Sequence, residues 1–239
     1  MVGSDLIDVE CDWGLNGLRC LARGRVVVIV DVLSFSTATT VAVSRGAEII
    51  PCEWSDDRAA ELAALYHAEV AAKRGQGRFS LAPASLREIP AGTRLVLPSP
   101  NGSTLAFAAR ELEATAVVAG CLRNAAAVAK WASDHASRVA IIAAGERWPD
   151  NSMRFAIEDW LGAGAIIGKI RASMGPLATS ASKTFDIYAK LLDEVLYHSP
   201  SGQELVDRGY PDDVFIASAL DSDTAVPLLQ GNAFKLAAL

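Results

Sequence analysis

This sequence predicts an α/β fold of three layers, with a mainly parallel or mixed sheet covered by helices on both faces. Three observations predict it. Short β-branched and aliphatic runs recur from residue 25 onward, apolar on both faces as buried strands are. Segments of helical spacing alternate with them, and turns rich in Ser, Asn and Gly separate the two. The 239 residues are 51% hydrophobic and 21% charged, a globular balance with enough chain to bury a core unaided. No disordered linker or internal repeat interrupts the pattern, so residues 1–239 are read as one domain.

The elements follow in order. Arg25 to Val32 is the first strand, and Ser36 to Val43 is a helix opened by hydroxyl caps and stopped near Gly46. Glu48 to Cys52 is a short strand. The spacing of Ala59, Leu62, Ala63, Tyr66 and Val70 predicts one long helix over Ser55 to Lys73. Lys73 to Arg78 is a basic loop with two glycines. Arg94 to Leu97 is a strand, followed by a turn and a helix from about Ser103. The strand Ala116 to Ala119 leads through Gly120 into a helix over Ala125 to His135. The strand Val139 to Ala143 ends at Gly145, ahead of a helix predicted over Phe155 to Ala172. More helix follows, including Ser201 to Arg208, and a final strand is expected at Thr224 to Val226.

Composition excludes several functions. With 22 Lys+Arg against 28 Asp+Glu, the net charge is −6, which argues against a nucleic-acid binder. No apolar run approaches the ~20 residues of a membrane span, and Met1 to Asp8 lacks the basic-then-apolar order of a signal peptide. Cys11, Cys20, Cys52 and Cys121 form no CxxC pair and have no His cluster nearby, as expected of thiols in a reducing cytoplasm. The expected partner is therefore a small molecule, without nucleic acid or membrane. A homodimer is compatible with the sequence.

In open α/β sheets, ligands sit beyond the carboxyl ends of the strands. There this chain places Asp31 with Ser34, Ser36, Thr37, Thr39 and Thr40, then Asn101, Gly102, Ser103 and Thr104, then Arg123-Asn124, then Gly145-Glu146-Arg147. Two of these loops have the makeup of anion sites at helix N-termini, and equally of plain N-caps at Ser36 and Asn101. Asp31 closes an apolar strand, where an acid is expensive unless paired or bound to metal. Glu158 and Asp159 stand near a helix start. Neighbours on a helix point about 100° apart, so one can hold a metal while the other orients water, or both can simply favour the dipole. Magnesium needs only one or two carboxylates besides water and phosphate oxygens.

Other signatures fail. A haloacid-dehalogenase-type site needs a second Asp where this chain has Leu33, and Cys52-x5-Arg58 encloses Glu53, Asp56 and Asp57, which would repel phosphate. Gly162-Ala163-Gly164 with Gly168 misses the dinucleotide spacing and reads as a close-packing helix face. No P-loop or nucleophile elbow is present, and His67, His135 and His198 receive no role.

Asp31-Val32-Leu33 with Ser36 to Thr40, Pro100 to Thr104, Gly120 to Ala125, Ala144-Gly145, Ile157-Glu158-Asp159 and Val226-Pro227 resemble, in order, the motifs of the 2-phosphosulfolactate phosphatase (ComB-type) family. The resemblance covers about residues 25 to 230. It implies a magnesium-dependent phosphatase acting on 2-phosphosulfolactate in coenzyme M or sulfolactate metabolism. It implies Asp31, Glu158 and Asp159 as the acids for Mg²⁺ and catalysis. Ser34, Ser36, Thr37, Thr39, Thr40, Asn101, Gly102, Ser103, Arg123 and Asn124 become the candidates for holding substrate. Two departures stand out: Ser34-Phe35 replaces the usual Arg-Ala, and the stretch from Lys73 to Ser85 is eroded. Arg74, Arg78 and Arg123 are the candidates to supply the missing charge. A catalytically silent small-anion binding protein on the same fold is the alternative.

Overall fold

The computed structural model describes residues 6–53 and 56–238. Its centre is a ten-stranded mixed sheet with helices on both faces. One parallel block is built from β1 (Ile7–Trp13), β2 (Val26–Val30), β6 (Ala116–Gly120), β7 (Arg138–Ala143) and β10 (Ala172–Met174). A second parallel block holds β3 (Glu48–Cys52), β4 (Glu69–Val70) and β5 (Arg94–Pro98). The hairpin of β11 (Pro227–Gln230) and β12 (Ala233–Leu236) lies between the blocks. It joins them through one antiparallel bridge on each side, Leu228 to Val118 and Phe234 to Ile49. A separate two-stranded ribbon pairs β8 (Glu146–Arg147) with β9 (Met153–Arg154).

Alternation along β2 builds both cores. Val26, Val28 and Val30 pack with residues of α5 (Ala125–His135), α6 (Ile157–Ile167) and α7 (Pro176–Tyr188). Val27 and Ile29 face the other way, with α1 (Gly14–Leu21), α2 (Phe35–Ser44) and α4 (Gly102–Glu111). A β-branched run apolar on both faces is what such a position demands. A smaller cluster joins Ala59 and Leu62 of α3 (Asp56–Tyr66) to Ile50, Cys52 and Val96. The helices α8 (Leu192–His198), α9 (Pro200–Asp207) and α10 (Pro211–Ser218) close the α6 side.

The small residues of α6 act as the sequence suggested. A Cβ on Gly164 would meet the Ala181 carbonyl oxygen at 2.2 Å, and one on Gly162 would meet Val32 and Val30 at 2.7 and 2.8 Å. Missing side chains let α6 lie against both α7 and the sheet.

Several boundaries differ from expectation. Of the helix expected over Ser55 to Lys73, Ser55 lies outside the described residues, and α3 ends at Tyr66. His67 takes φ 50, and the chain turns into β4, where Val70 is exposed rather than buried. The helix expected to reach Ala172 stops at Ile167, and Ala172 opens an edge strand. The final strands lie at 227–230 and 233–236 instead of at Thr224 to Val226. No helix among the described residues is long and apolar enough to cross a membrane.

Candidate active site

The segments that follow β2, β5 and β7 meet at Asp31. Its side chain is buried, and its two oxygens accept backbone N–H groups from the starts of two helices. Phe35 donates to Oδ1 at 3.1 Å and Gly102 to Oδ2 at 2.9 Å. Position 102 must be glycine for this approach. A Cβ there would lie 2.3 Å from the Phe35 ring and 2.8 Å from Asp31 Oδ2. Burial pushes the Asp31 carboxyl up to about 6, with the charge of Glu158 adding to the rise. The two N–H groups and Arg74 pull it down.

Asp31 lines a cleft of about 870 Å³ with Ser34, Ser99, Pro100, Glu146, Ser201, Lys73, Arg74 and Arg208. Glu146, at the carboxyl end of the fifth expected strand, accepts from Asn101 Nδ2 at 3.0 Å. Burial, Asp31 and Glu158 push its carboxyl up to about 7. Glu158 is buried at the start of α6 and leaves Oε2 with no partner among the described residues. Burial raises its carboxyl too, against the pull of the Ser201 and Ser199 hydroxyls and Arg154.

Asp159 is differently occupied. Val32 N–H donates to Oδ1 at 2.7 Å and Gly145 N–H donates to Oδ2 at 2.8 Å. One carboxylate thus latches the segments after β2 and β7 to the first turn of α6. Burial first, then the charges of Asp31 and Glu158, hold its carboxyl well above the usual range, opposed by the two N–H groups.

Most of the hydroxyls and amides singled out in the sequence are spent inside the fold. Ser36 Oγ donates to Ile29 O and accepts from Asp31 N–H, so it ties strand to helix. Thr37 donates to Val32 O, Thr40 to Ser36 O, and Ser103 to Leu97 O. Asn124 accepts from Cys121 N–H and donates to Thr40 Oγ1, Ala119 O and Ala225 O. Thr39 Oγ1 is buried without a partner among the described residues. Neither Ser36 nor Asn101 caps its helix with its side chain. Arg123 donates to Ile216 O, away from the cleft. Of the acids and substrate-holding candidates, Asp31 and Ser34 line the large cleft, joined by Arg74 from the charge candidates and Glu146 from the strand ends, while Asn101 lines its neighbour beyond Glu146.

The sequence undervalued two residues. Glu146 was visible as an acid at a strand end. Arg74 was one of three arginines named for the charge missing at Ser34, and it is the one that reaches that residue: its Nη2 donates to Ser34 Oγ at 2.6 Å and its Nε to Asp213 Oδ2 at 2.9 Å.

No three His, Cys, Asp or Glu side chains among the described residues converge as a ready-made metal site. Magnesium does not require that, since it commonly takes one or two carboxylates and completes its shell with water and phosphate. The unpartnered Glu158 Oε2, beside acids that raise one another's pKa, suits a dication.

Buried acids at the carboxyl edge of parallel strands, with helix N-termini beneath and arginines alongside, stand where α/β enzymes carry their active sites. The sequence comparisons narrow the class. The chain belongs to the 2-phosphosulpholactate phosphatase family, whose sequence model matches residues 18–232. A 2-phosphosulfolactate phosphatase of Methanothermobacter thermautotrophicus is 32% identical over 191 residues, 78% of this chain and 79% of that protein. Probable 2-phosphosulfolactate phosphatases resemble it as well. That of Thermotoga maritima is 26% identical over 89% of this chain and 92% of its own length. That of Gloeobacter violaceus is 27% identical over 84% and 86%.

Proposed function

We propose that this protein is a magnesium-dependent phosphatase that hydrolyses a small phosphorylated acid, 2-phosphosulfolactate by kinship, to sulfolactate and phosphate. The observation that carries the reading is Asp31. It is held by two helix-start N–H groups at the floor of a cleft that also contains Glu146, and the charge of the buried Glu158, whose Oε2 has no partner among the described residues, acts on both carboxyls.

Asp31 and Glu158 would hold the Mg²⁺, with Asp159 as the latch that fixes the loops around it. Bound there, the ion would offset charge on the transferring phosphoryl group. The protein's own part is to fix geometry and place protons. The N–H groups of Phe35 and Gly102 orient Asp31 without side-chain freedom. Glu146 is pushed up to about 7, so it can both hold and release a proton near neutrality. Asn101 engages Oε2, so Oε1 is the atom from which a proton can pass to the departing alkoxide oxygen. Four free thiols support a cytoplasmic setting. A homodimer is tested by light scattering.

The test is phosphate release from a panel of 2-phospho acids, with and without magnesium, by the wild type and by Asp31→Asn and Glu158→Gln. The reading expects magnesium-dependent release that falls at least 100-fold in Asp31→Asn. Release unchanged by either substitution would sink the metal assignment. Anion binding without turnover would favour the silent binder.

A further inference from the structure

The cleft has two electrical poles. Its floor carries Asp31 and Glu146, whereas the wall formed by the loop after β4 and the end of α9 carries Lys73, Arg74 and Arg208. Lys73 and Arg208 sit exposed at the rim, with no ion pair among the described residues. Arg74 is deeper and fixed on one side. Its Nε donates to Asp213 Oδ2 at 2.9 Å, and its Nη2 donates to Ser34 Oγ at 2.6 Å and to Leu81 O at 3.4 Å. Asp213 is itself held by the Ala84 N–H at 3.3 Å, and the guanidinium lies 5.9 Å from the Tyr210 ring centroid.

This arrangement spends one edge of a planar fork on the protein and leaves Nη1 without a partner among the described residues. An arginine so braced loses little freedom on binding and suits an acceptor-only oxyanion. The floor is suited to the phosphoryl group with its cation. A substrate spanning floor and wall would match the wall's cations best with a second negative group besides its phosphate ester.

We infer that Arg74, braced by Asp213 and Ser34, is the specificity-determining residue that holds a carboxylate or sulfonate on the substrate through its free Nη1, with Lys73 and Arg208 drawing that anion in from the rim. The inference rests on the phosphatase reading above and assigns the part of the substrate that does not react. Arg74 positions; it does not touch the reacting phosphorus. Its loss is accordingly felt in KM for acids and not in KM for simple esters.

The experiment compares wild type, Arg74→Met and the double variant Arg74→Met/Asp213→Asn, which does not strand a buried carboxylate. Each is assayed on 2-phosphoglycolate, which has the second anion, and on ethyl phosphate, which lacks it. Melting temperatures confirm folding. Loss of one charged hydrogen bond predicts a rise of about 10- to 100-fold in KM for 2-phosphoglycolate. The ethyl phosphate KM should change less than about threefold, and any change in kcat should be the same on both esters, because Arg74 also acts on Asp31. Ser34→Arg added to the double variant places a guanidinium in the same space and should recover part of the lost affinity.

Equal rises in KM on both esters, or no rise on either, would overturn the inference while leaving the phosphatase reading intact. If the wild type, with magnesium, releases phosphate from neither ester nor from any of the panel of 2-phospho acids, the phosphatase reading fails instead. Calorimetric binding of sulfoacetate then decides on Arg74: weaker binding to the double variant supports its role, and unchanged binding ends it.

Discussion

Replacing Asp159 with asparagine keeps the shape of the α6 latch and removes half of its acceptors. In the native fold both carboxylate oxygens accept buried backbone N–H groups, Val32 at 2.7 Å and Gly145 at 2.8 Å. Asparagine can accept only one of them and turns its NH₂ toward the other. A hydrogen bond to a charged acceptor contributes about 1.5–3 kcal/mol, and a buried N–H left unpaired costs about 1–3 kcal/mol. Against this, the neutral amide relieves repulsion with Asp31 and Glu158, the charges that help raise the Asp159 pKa. The balance is a loss of about 2–4 kcal/mol. In a chain of this size each kcal/mol moves Tm by roughly 2–4 °C, so the expected drop is about 4–15 °C. Circular dichroism on heating gives the Tm, and amide hydrogen exchange should find protection lost at Val32 or Gly145 while β6 remains protected. A Tm within about 1 °C of wild type, with both amides still protected, would refute the latch.

Other outcomes follow from the same geometry. Gly102→Ala drives a Cβ to 2.3 Å from the fully buried Phe35 ring and pushes the Gly102 N–H off Asp31. It should lower stability by about 2–4 kcal/mol in urea unfolding and reduce activity with it. Glu146 binds its proton more tightly folded, at about 7, than unfolded, near 4.5. Stability should therefore fall as pH rises from about 4.5 to 7 and then level off. Glu146→Gln has no such proton to lose, so its stability relative to wild type should rise by about 1–3 kcal/mol between pH 5 and pH 8, measured by denaturant titration. A constant difference across that range would contradict the shift. Gly164→Val should part α6 from α7, because even a Cβ meets the Ala181 carbonyl oxygen at 2.2 Å, and a lowered Tm checks it.

The central strands were legible because burial on both faces leaves a run such as Val26 to Val30 with no polar residue to confuse its pattern. β1 was missed for the opposite reason. Asp8, Glu10 and Asp12 alternate through it and make it read as a polar lead-in. In the fold Asp8 pairs with Arg25 and Arg138, contacts that sequence spacing does not announce. Val70 has perfect helical spacing, and only the turn at His67 takes it out of register.

The site divides in the same way. Asp31 was legible because an acid at the end of an apolar strand needs a reason. Asn124 and the threonines of α2 looked equally available, but their partners are carbonyl oxygens and side chains of strands and loops far along the chain. Arg74 finds Asp213 across 139 positions, a distance over which composition carries no information.

The hairpin at the middle of the sheet has a consequence for assembly. Residues 227–236 come after every strand they join, yet within the sheet they are, among the described residues, the only seam between the β2 block and the β3 block. Each block can form its own parallel pairings as it is synthesised, but the seam stays open until the hairpin arrives. Until then, the inner edges at β6 and β3 present unpaired N–H and C=O groups to any other strand. The final insertion is therefore the step at which two half-sheets become one, and a chaperone that shields those two edges would guard the protein's most vulnerable moment.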